Sequence, residues 1–142
     1  MNNYLIDTGF LYALINENDS NHRAVISANA YINGKIILPV PAITEVCYFL
    51  NRNFNISILA DFLDDLSSTQ DMIIETPAPQ DYRRSAEILR KYNDSNIDFV
   101  DACIVAMAER LNITQILTVD HRHFRMFKPE HCESFELIPQ TL

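Results

Sequence analysis

The chain has 142 residues, of which 48% are hydrophobic and 21% are charged. This length and composition predict one globular domain over residues 1–142, and the 2 Gly and 6 Pro exclude collagen-like and disordered classes. The 19 acidic side chains outnumber the 11 Lys and Arg, so the formal net charge is −8. That charge argues against a protein that holds nucleic acid through a broad basic surface.

In chain order, the first half alternates short apolar runs with helical patterns. It is predicted to contain a strand at 4–6, helices at 9–15 and 22–32, a strand at 35–40 and a helix that opens at Pro41. The second half is predicted to contain an amphipathic helix at 56–66, a strand at 72–75, helices at 80–92 and 98–111, and a strand at 115–119. Short apolar strands that alternate with helices predict an α/β fold, with a parallel central sheet covered on both faces.

The apolar runs and the cysteines indicate where the protein works. No apolar run approaches the ~20 residues that cross a bilayer, and the N-terminus has no basic segment typical of a secretory signal. We therefore expect a cytoplasmic protein without a membrane span. Cys47, Cys103 and Cys132 are an odd number, and we expect free thiols and no disulfide.

Two acids follow predicted strands. Asp7 comes after the first strand, and Asp120 comes after the strand at 115–119. In parallel α/β sheets the ligand crevice lies beyond the carboxyl ends of the strands, so both side chains are candidates for one site. Asp7 is also a favoured residue for capping the following helix, and the two roles are compatible.

Three further acids lie near helix starts. Asp98 and Asp101 flank the start of the helix at 98–111, where they suit either a shared site or a capping box. Glu45 lies in an early turn of its helix, close to apolar residues. Carboxylates without a Cys or His framework suit hard cations such as Mg²⁺ or Mn²⁺, which serve phosphodiester hydrolysis.

Several segments together resemble the PIN-domain nucleases, in particular the VapC-type toxin ribonucleases. The segments are Leu5-Ile6-Asp7-Thr8, Ile43-Thr44-Glu45-Val46, residues 98–111, and Ile116-Leu117-Thr118-Val119-Asp120 followed by His123-Phe124. The likeness runs nearly end to end and implies a three-layer PIN-like domain with a mainly parallel sheet. One departure is Gly9, where family members often have Asn after the opening Asp-Thr.

The resemblance also implies the site and the activity. Asp7, Glu45, Asp101 and Asp120 match the family's metal-binding acidic quartet, and Asp98 matches an extra acid of one subgroup. The implied function is an Mg²⁺- or Mn²⁺-dependent endoribonuclease in which water attacks the phosphodiester and leaves 5′-phosphate and 3′-hydroxyl ends. The implied partners are an RNA substrate, a cognate antitoxin protein and a second copy of the chain.

Other interpretations are weaker. An inactive PIN-like binding module would normally lose its ligand acids, and a phosphatase of the haloacid dehalogenase type needs Asp-x-Asp where this chain has Gly9. A zinc cluster could be formed by His121, His123, His131 and Cys132. Their spacings, however, match the known closed zinc sites poorly. A Gly-rich phosphate-binding loop is excluded because the chain has only two glycines, Gly9 and Gly34.

Basic and aromatic side chains could bind RNA, but their positions in the sequence favour other roles. Solvated surface is the preferred interpretation of the predicted polar loop with His121, Arg122, His123 and Arg125, and of the helix strip with Arg83, Arg84, Arg90 and Lys91. Core or interface packing is preferred over base stacking for Tyr12, Tyr48, Phe49, Phe54, Phe62 and Phe99.

Overall fold

The structure, a computed structural model, describes residues 2–142. Its elements in chain order are β1 (Asn2–Ile6), α1 (Thr8–Ile15), α2 (His22–Asn29), β2 (Gly34–Pro39), α3 (Val40–Asn53), α4 (Ile56–Ser68), β3 (Met72–Glu75), α5 (Pro79–Lys91), α6 (Phe99–Leu111), β4 (Gln115–Leu117), α7 (His121–Met126) and β5 (Glu136–Ile138). Within this part of the chain no helix is long and apolar enough to cross a membrane. The three cysteines are free.

The five strands form one parallel sheet in the order β3-β2-β1-β4-β5. Alternate strand residues point to opposite faces, so Leu5 of β1 joins a core that contains Ile104 of α6, whereas Ile6 joins a core that contains Phe10 of α1 and Val46 of α3. Each face of the sheet is therefore covered by helices. The predicted three-layer α/β fold, in which a parallel sheet lies between two layers of helices, is confirmed.

Two C-terminal elements differ from the sequence prediction. Residues 121–126, predicted as a polar loop, form α7 because Asp120 caps the helix and Phe124 is buried against the core. Strand β5 was not predicted, since only three residues pair with β4 and a run that short has no readable period. Its Leu137 extends the hydrophobic core at that edge.

The aromatic prediction is correct only in part. Phe62 is buried, but Tyr48, Phe54 and Phe99 are exposed, with exposed fractions of 59%, 41% and 39%. For these three residues packing in the core is contradicted, because Tyr48 lies on an exposed part of α3, Phe54 follows the end of α3 and Phe99 is the exposed first residue of α6. The interpretations that remain for these three side chains are packing at an interface, which the sequence favours, and base stacking.

The four basic side chains of α5 were predicted to lie in solvent, and this prediction is wrong for one of them. Arg83, Arg90 and Lys91 are exposed, but Arg84 is half-buried and its Nε donates to Glu109 Oε1 of α6 at 2.7 Å. A second nitrogen, Nη2, donates to Glu109 Oε2 at 3.1 Å. This bidentate pair holds α5 against α6.

Arg84→Ala should lower the free energy of unfolding by about 2 kcal/mol, because the half-buried Glu109 carboxylate loses its cationic partner and keeps only the hydrogen bond from the Glu130 N–H. Arg83→Ala, one residue earlier and exposed, is the matched control and should change stability by less than about 0.5 kcal/mol. Urea denaturation of the two variants measures the difference. Equal stability of both variants would show that the Arg84 pair contributes nothing.

Candidate metal centre

One crevice at the carboxyl ends of β1 and β4 collects the acids singled out in the sequence. It has a volume of about 300 Å³ and is bordered by the starts of α1, α6 and α7 and by an early turn of α3. The carboxylates that line it are Asp7, Glu45, Asp98, Asp101 and Asp120. Thus all five candidate residues, which are up to 113 positions apart in the sequence, lie around the same space.

Asp7 is the most deeply buried of these acids, with an exposed fraction of 6%. Its Oδ1 accepts a hydrogen bond from the Thr8 backbone N–H at 2.8 Å as the cap of α1, and its Oδ2 accepts one from the Thr118 hydroxyl at 2.9 Å. Burial raises the pKa of Asp7 to about 7, and the charges of Asp120 and Glu45 add to the shift, while the two hydrogen bonds oppose it.

Asp98 and Asp101 form the capping box of α6. Asp98 Oδ1 accepts from the Asp101 backbone N–H at 3.0 Å, and Asp101 Oδ2 accepts from the Asp98 N–H at 3.2 Å. Burial, together with the nearby charges of Asp98, Asp7 and Asp120, raises the pKa of Asp101 to about 8, although the hydrogen bond from the Asp98 N–H opposes the shift. Asp98 itself is exposed at the mouth of the crevice.

Asp120 joins the crevice to α7. Its Oδ1 accepts from the His123 backbone N–H at 3.1 Å, and its Oδ2 lies 2.8 Å from His123 Nδ1. The Thr118 hydroxyl that donates to Asp7 also accepts from the Asp120 N–H at 2.9 Å, so one buried side chain positions both acids.

Glu45 faces the crevice from α3, and burial raises the pKa of its carboxyl, as does the charge of Asp98. The neighbouring Thr8 hydroxyl opposes that shift, yet Thr8 Oγ1 is buried and makes no hydrogen bond of acceptable geometry. A buried hydroxyl that lacks a partner beside several carboxylates fits a site that binds a cation and its ordered waters.

His123, which the sequence indicated only as part of a solvated loop or of a poorly spaced zinc set, also lines the crevice. One ligand atom each from Asp101, Asp120 and His123 lies within 4.8 Å of the other two. The readable signal was its position three residues after Asp120, where a helix cap turns the side chain back towards the acid. The zinc set considered above is not assembled, because His131 Nε2 instead lies 2.7 Å from the Ile113 carbonyl oxygen.

Gly9 lies in the first turn of α1 beside the crevice. A Cβ at this position would approach Val119 Cγ2 to 2.8 Å, closer than packed carbon atoms tolerate. The departure from the family's usual Asn therefore matches the packing of α1 against the end of β4 in this chain.

The fold and the crevice define a class of protein. It is a three-layer domain in which a parallel sheet presents carboxylates at its carboxyl edge, a donor set suited to hard divalent cations. The chain belongs to the PIN domain family, whose profile matches residues 4–128. The resemblance found in the sequence is thereby confirmed.

Three relatives illustrate the likeness. Ribonuclease VapC26 of Mycobacterium tuberculosis is 26% identical over 135 residues, which cover 95% of this chain and 99% of that protein. The crystal structure of M. tuberculosis VapC20, described as a sarcin-ricin loop cleaving toxin, has a TM-score of 0.73 at 19% identity and covers 80% of this chain and 86% of that one. A toxin–antitoxin complex from Klebsiella pneumoniae has a TM-score of 0.67 at 17% identity, covering 98% and 95%.

Proposed function

We propose that this protein is a metal-dependent endoribonuclease, the toxin of a toxin–antitoxin pair, which acts on RNA in the cytoplasm. The observation that carries the proposal is the convergence of Asp7, Glu45, Asp101 and Asp120 on one crevice. Burial, to which mutual repulsion adds, raises the pKa values of Asp7 and Asp101, and a bound divalent cation would stabilise their ionised forms. The likeness to a curated ribonuclease over nearly the whole chain supports the choice of RNA as substrate.

In this proposal the four acids hold Mg²⁺ or Mn²⁺, and Asp98 caps α6 and serves as an outer ligand. The bound cation would activate water and stabilise the leaving oxygen of an RNA phosphodiester. The chain's own contribution is positioning, because helix caps and the Thr118 hydroxyl set the carboxylates before a cation arrives. The crevice also concentrates negative charge, so RNA phosphate approaches only where a cation reverses the field.

The acidic crevice also suits the proposed antitoxin. A basic side chain of a partner segment would pair with the carboxylates and block RNA. A solved relative is a toxin–antitoxin complex, which supports a partner of this kind.

A second copy of the chain is the proposed partner at the neighbouring apolar groove, defined by Val40, Pro41, Tyr48, Thr76, Tyr82 and Phe99 and with a volume of about 600 Å³. The Tyr82 and Phe99 rings stack at its rim, 6.0 Å between centroids, and both are exposed. Exposed stacked aromatics are typical of interface cores. The groove shares Glu45 with the crevice, so a partner there would lie beside the active centre.

Tyr82→Glu should convert a dimer to a monomer, because a charge placed in an apolar interface is desolvated without a partner. Tyr31→Glu, at an exposed tyrosine outside the groove, is the matched control and should remain dimeric. Light scattering coupled to size-exclusion chromatography measures the mass of both. A dimeric Tyr82→Glu protein would place the interface elsewhere.

The proposed function is tested by calorimetric titration of Mn²⁺ into the purified protein and into an Asp7→Asn/Asp101→Asn double variant, followed by RNA cleavage with and without a chelator. We expect wild-type binding, no binding by the double variant, and cleavage that stops when the metal is removed. An absence of binding at millimolar Mn²⁺ would instead favour the inactive PIN-like module. Cleavage that persists in chelator would contradict metal dependence.

A further inference from the structure

His123 adds an imidazole nitrogen to a crevice whose acidic side chains offer only carboxylate oxygens. We propose that His123 Nδ1 binds the divalent cation directly, and that this nitrogen ligand makes the site select Mn²⁺ over Mg²⁺. The inference rests on the proposed function, because it assigns a further ligand to the same centre.

The distances around Nδ1 fit a shared ion. Nδ1 lies 2.8 Å from Asp120 Oδ2 and 3.9 Å from Asp101 Oδ2, and the three atoms are within 4.8 Å of one another. An octahedral cation with bonds of about 2.1 Å places adjacent ligand atoms about 3.0 Å apart and opposite ones about 4.2 Å apart. One ion could therefore contact all three atoms after small side-chain rotations.

The His123 side chain is held in place by its helix. Its backbone N–H donates to Asp120 Oδ1, and the next residue, Phe124, is buried in the core and fixes α7. A second observation points to a ligand at the same place, because Thr8 lines the crevice with a 3% exposed fraction and its hydroxyl, although near Glu45, forms no well-directed hydrogen bond. The carboxylate cluster is thus accompanied by an orphan polar group that a hydrated cation would satisfy.

The nitrogen changes which cation the site prefers. Both ions bind carboxylates and water, but Mn²⁺, as a transition-metal ion, accepts an imidazole nitrogen more readily than Mg²⁺ does. The alternative arrangement has His123 outside the metal shell, where Nδ1–H donates to Asp120 and only orients that carboxylate. Direct binding requires the proton on Nε2 and leaves the Nδ1 lone pair for the cation, so the two arrangements differ in whether nitrogen contacts the metal.

Electron spin-echo envelope modulation on the Mn²⁺-loaded protein separates these arrangements without any substrate. We expect imidazole nitrogen modulation in the wild type, loss of it in His123→Asn, and retention in the matched variant His121→Asn on the same helix. Mg²⁺ competition against the Mn²⁺ signal should show the preference for Mn²⁺ falling about tenfold in His123→Asn only.

Each outcome bears on the inference. Bound Mn²⁺ without nitrogen modulation in the wild type would overturn direct ligation while leaving the proposed nuclease intact. Modulation that disappears in His121→Asn instead would also overturn it, because the nitrogen would belong to another residue. A wild type that binds no Mn²⁺ would overturn both this inference and the proposed function.

Discussion

Asp101→Asn should reduce RNA cleavage by about a thousandfold or more, because loss of one carboxylate from the cation site removes several kcal/mol of transition-state stabilisation. The same variant should fold normally. Its amide oxygen can still accept the hydrogen bond from the Asp98 N–H, and a charge that Asp98, Asp7 and Asp120 oppose is gone. We therefore expect the metal-free melting temperature to stay level or rise.

The two readouts belong in one experiment, with cleavage of labelled RNA and thermal melting measured on the same preparation. Asp61→Asn is the control, because Asp61 is an exposed acid on α4 outside the crevice and undergoes the same chemical change. It should cleave at the wild-type rate. Retained cleavage by Asp101→Asn would refute the assignment, whereas loss of cleavage together with a lower melting temperature would indicate a folding defect.

The main fold was predictable because its helices and strands carry strong local signals. Strand β1, helix α6 and strand β4 are apolar runs ended by acids or caps, and their alternation predicts a parallel sheet. Asp7 and Asp120 followed from the same rule, since Asp7 directly follows β1 and Asp120 lies three positions after the last residue of β4, where the carboxyl ends of both strands border the crevice.

The features that were missed depend on contacts between distant parts of the chain. Residues 121–126 have the composition of a charged loop, and they form a helix because Phe124 packs in the core. That helix places the His123 side chain beside Asp120. Arg84 looks solvated on its own helix, since Glu109 is 25 residues away in sequence. Periodicity within one element carries no information about such partners.

The metal-free protein should lose stability as the pH rises from about 4 to about 8. The pKa of Asp7 is 3.8 in ordinary surroundings and about 7 in the fold, and that of Asp101 rises from 3.8 to about 8. Between these values the folded chain binds more protons than the unfolded chain, so the free energy of unfolding falls with increasing pH. For the fully buried Asp7 the difference corresponds to roughly 4 kcal/mol.

Thermal melting in chelator should therefore show a decrease of about 10 °C between pH 5 and pH 8. Asp7→Asn removes the group with the larger burial, so its melting temperature should change less over the same range. A wild-type stability that increases steadily across these pH values would contradict the raised pKa values of both acids.

Adding Mn²⁺ turns the same titration into a test of the site. Cations bind the ionised carboxylates, so at pH 5 they compete with the protons that Asp7 and Asp101 retain, whereas at pH 8 most of those protons have left. The increase in melting temperature on adding Mn²⁺ should consequently be larger at pH 8 than at pH 5, and should vanish in the Asp7→Asn/Asp101→Asn variant. Equal increases at both pH values would mean that the cation binds away from the buried acids. The carboxylates that destabilise the metal-free fold would then have no metal to offset their repulsion.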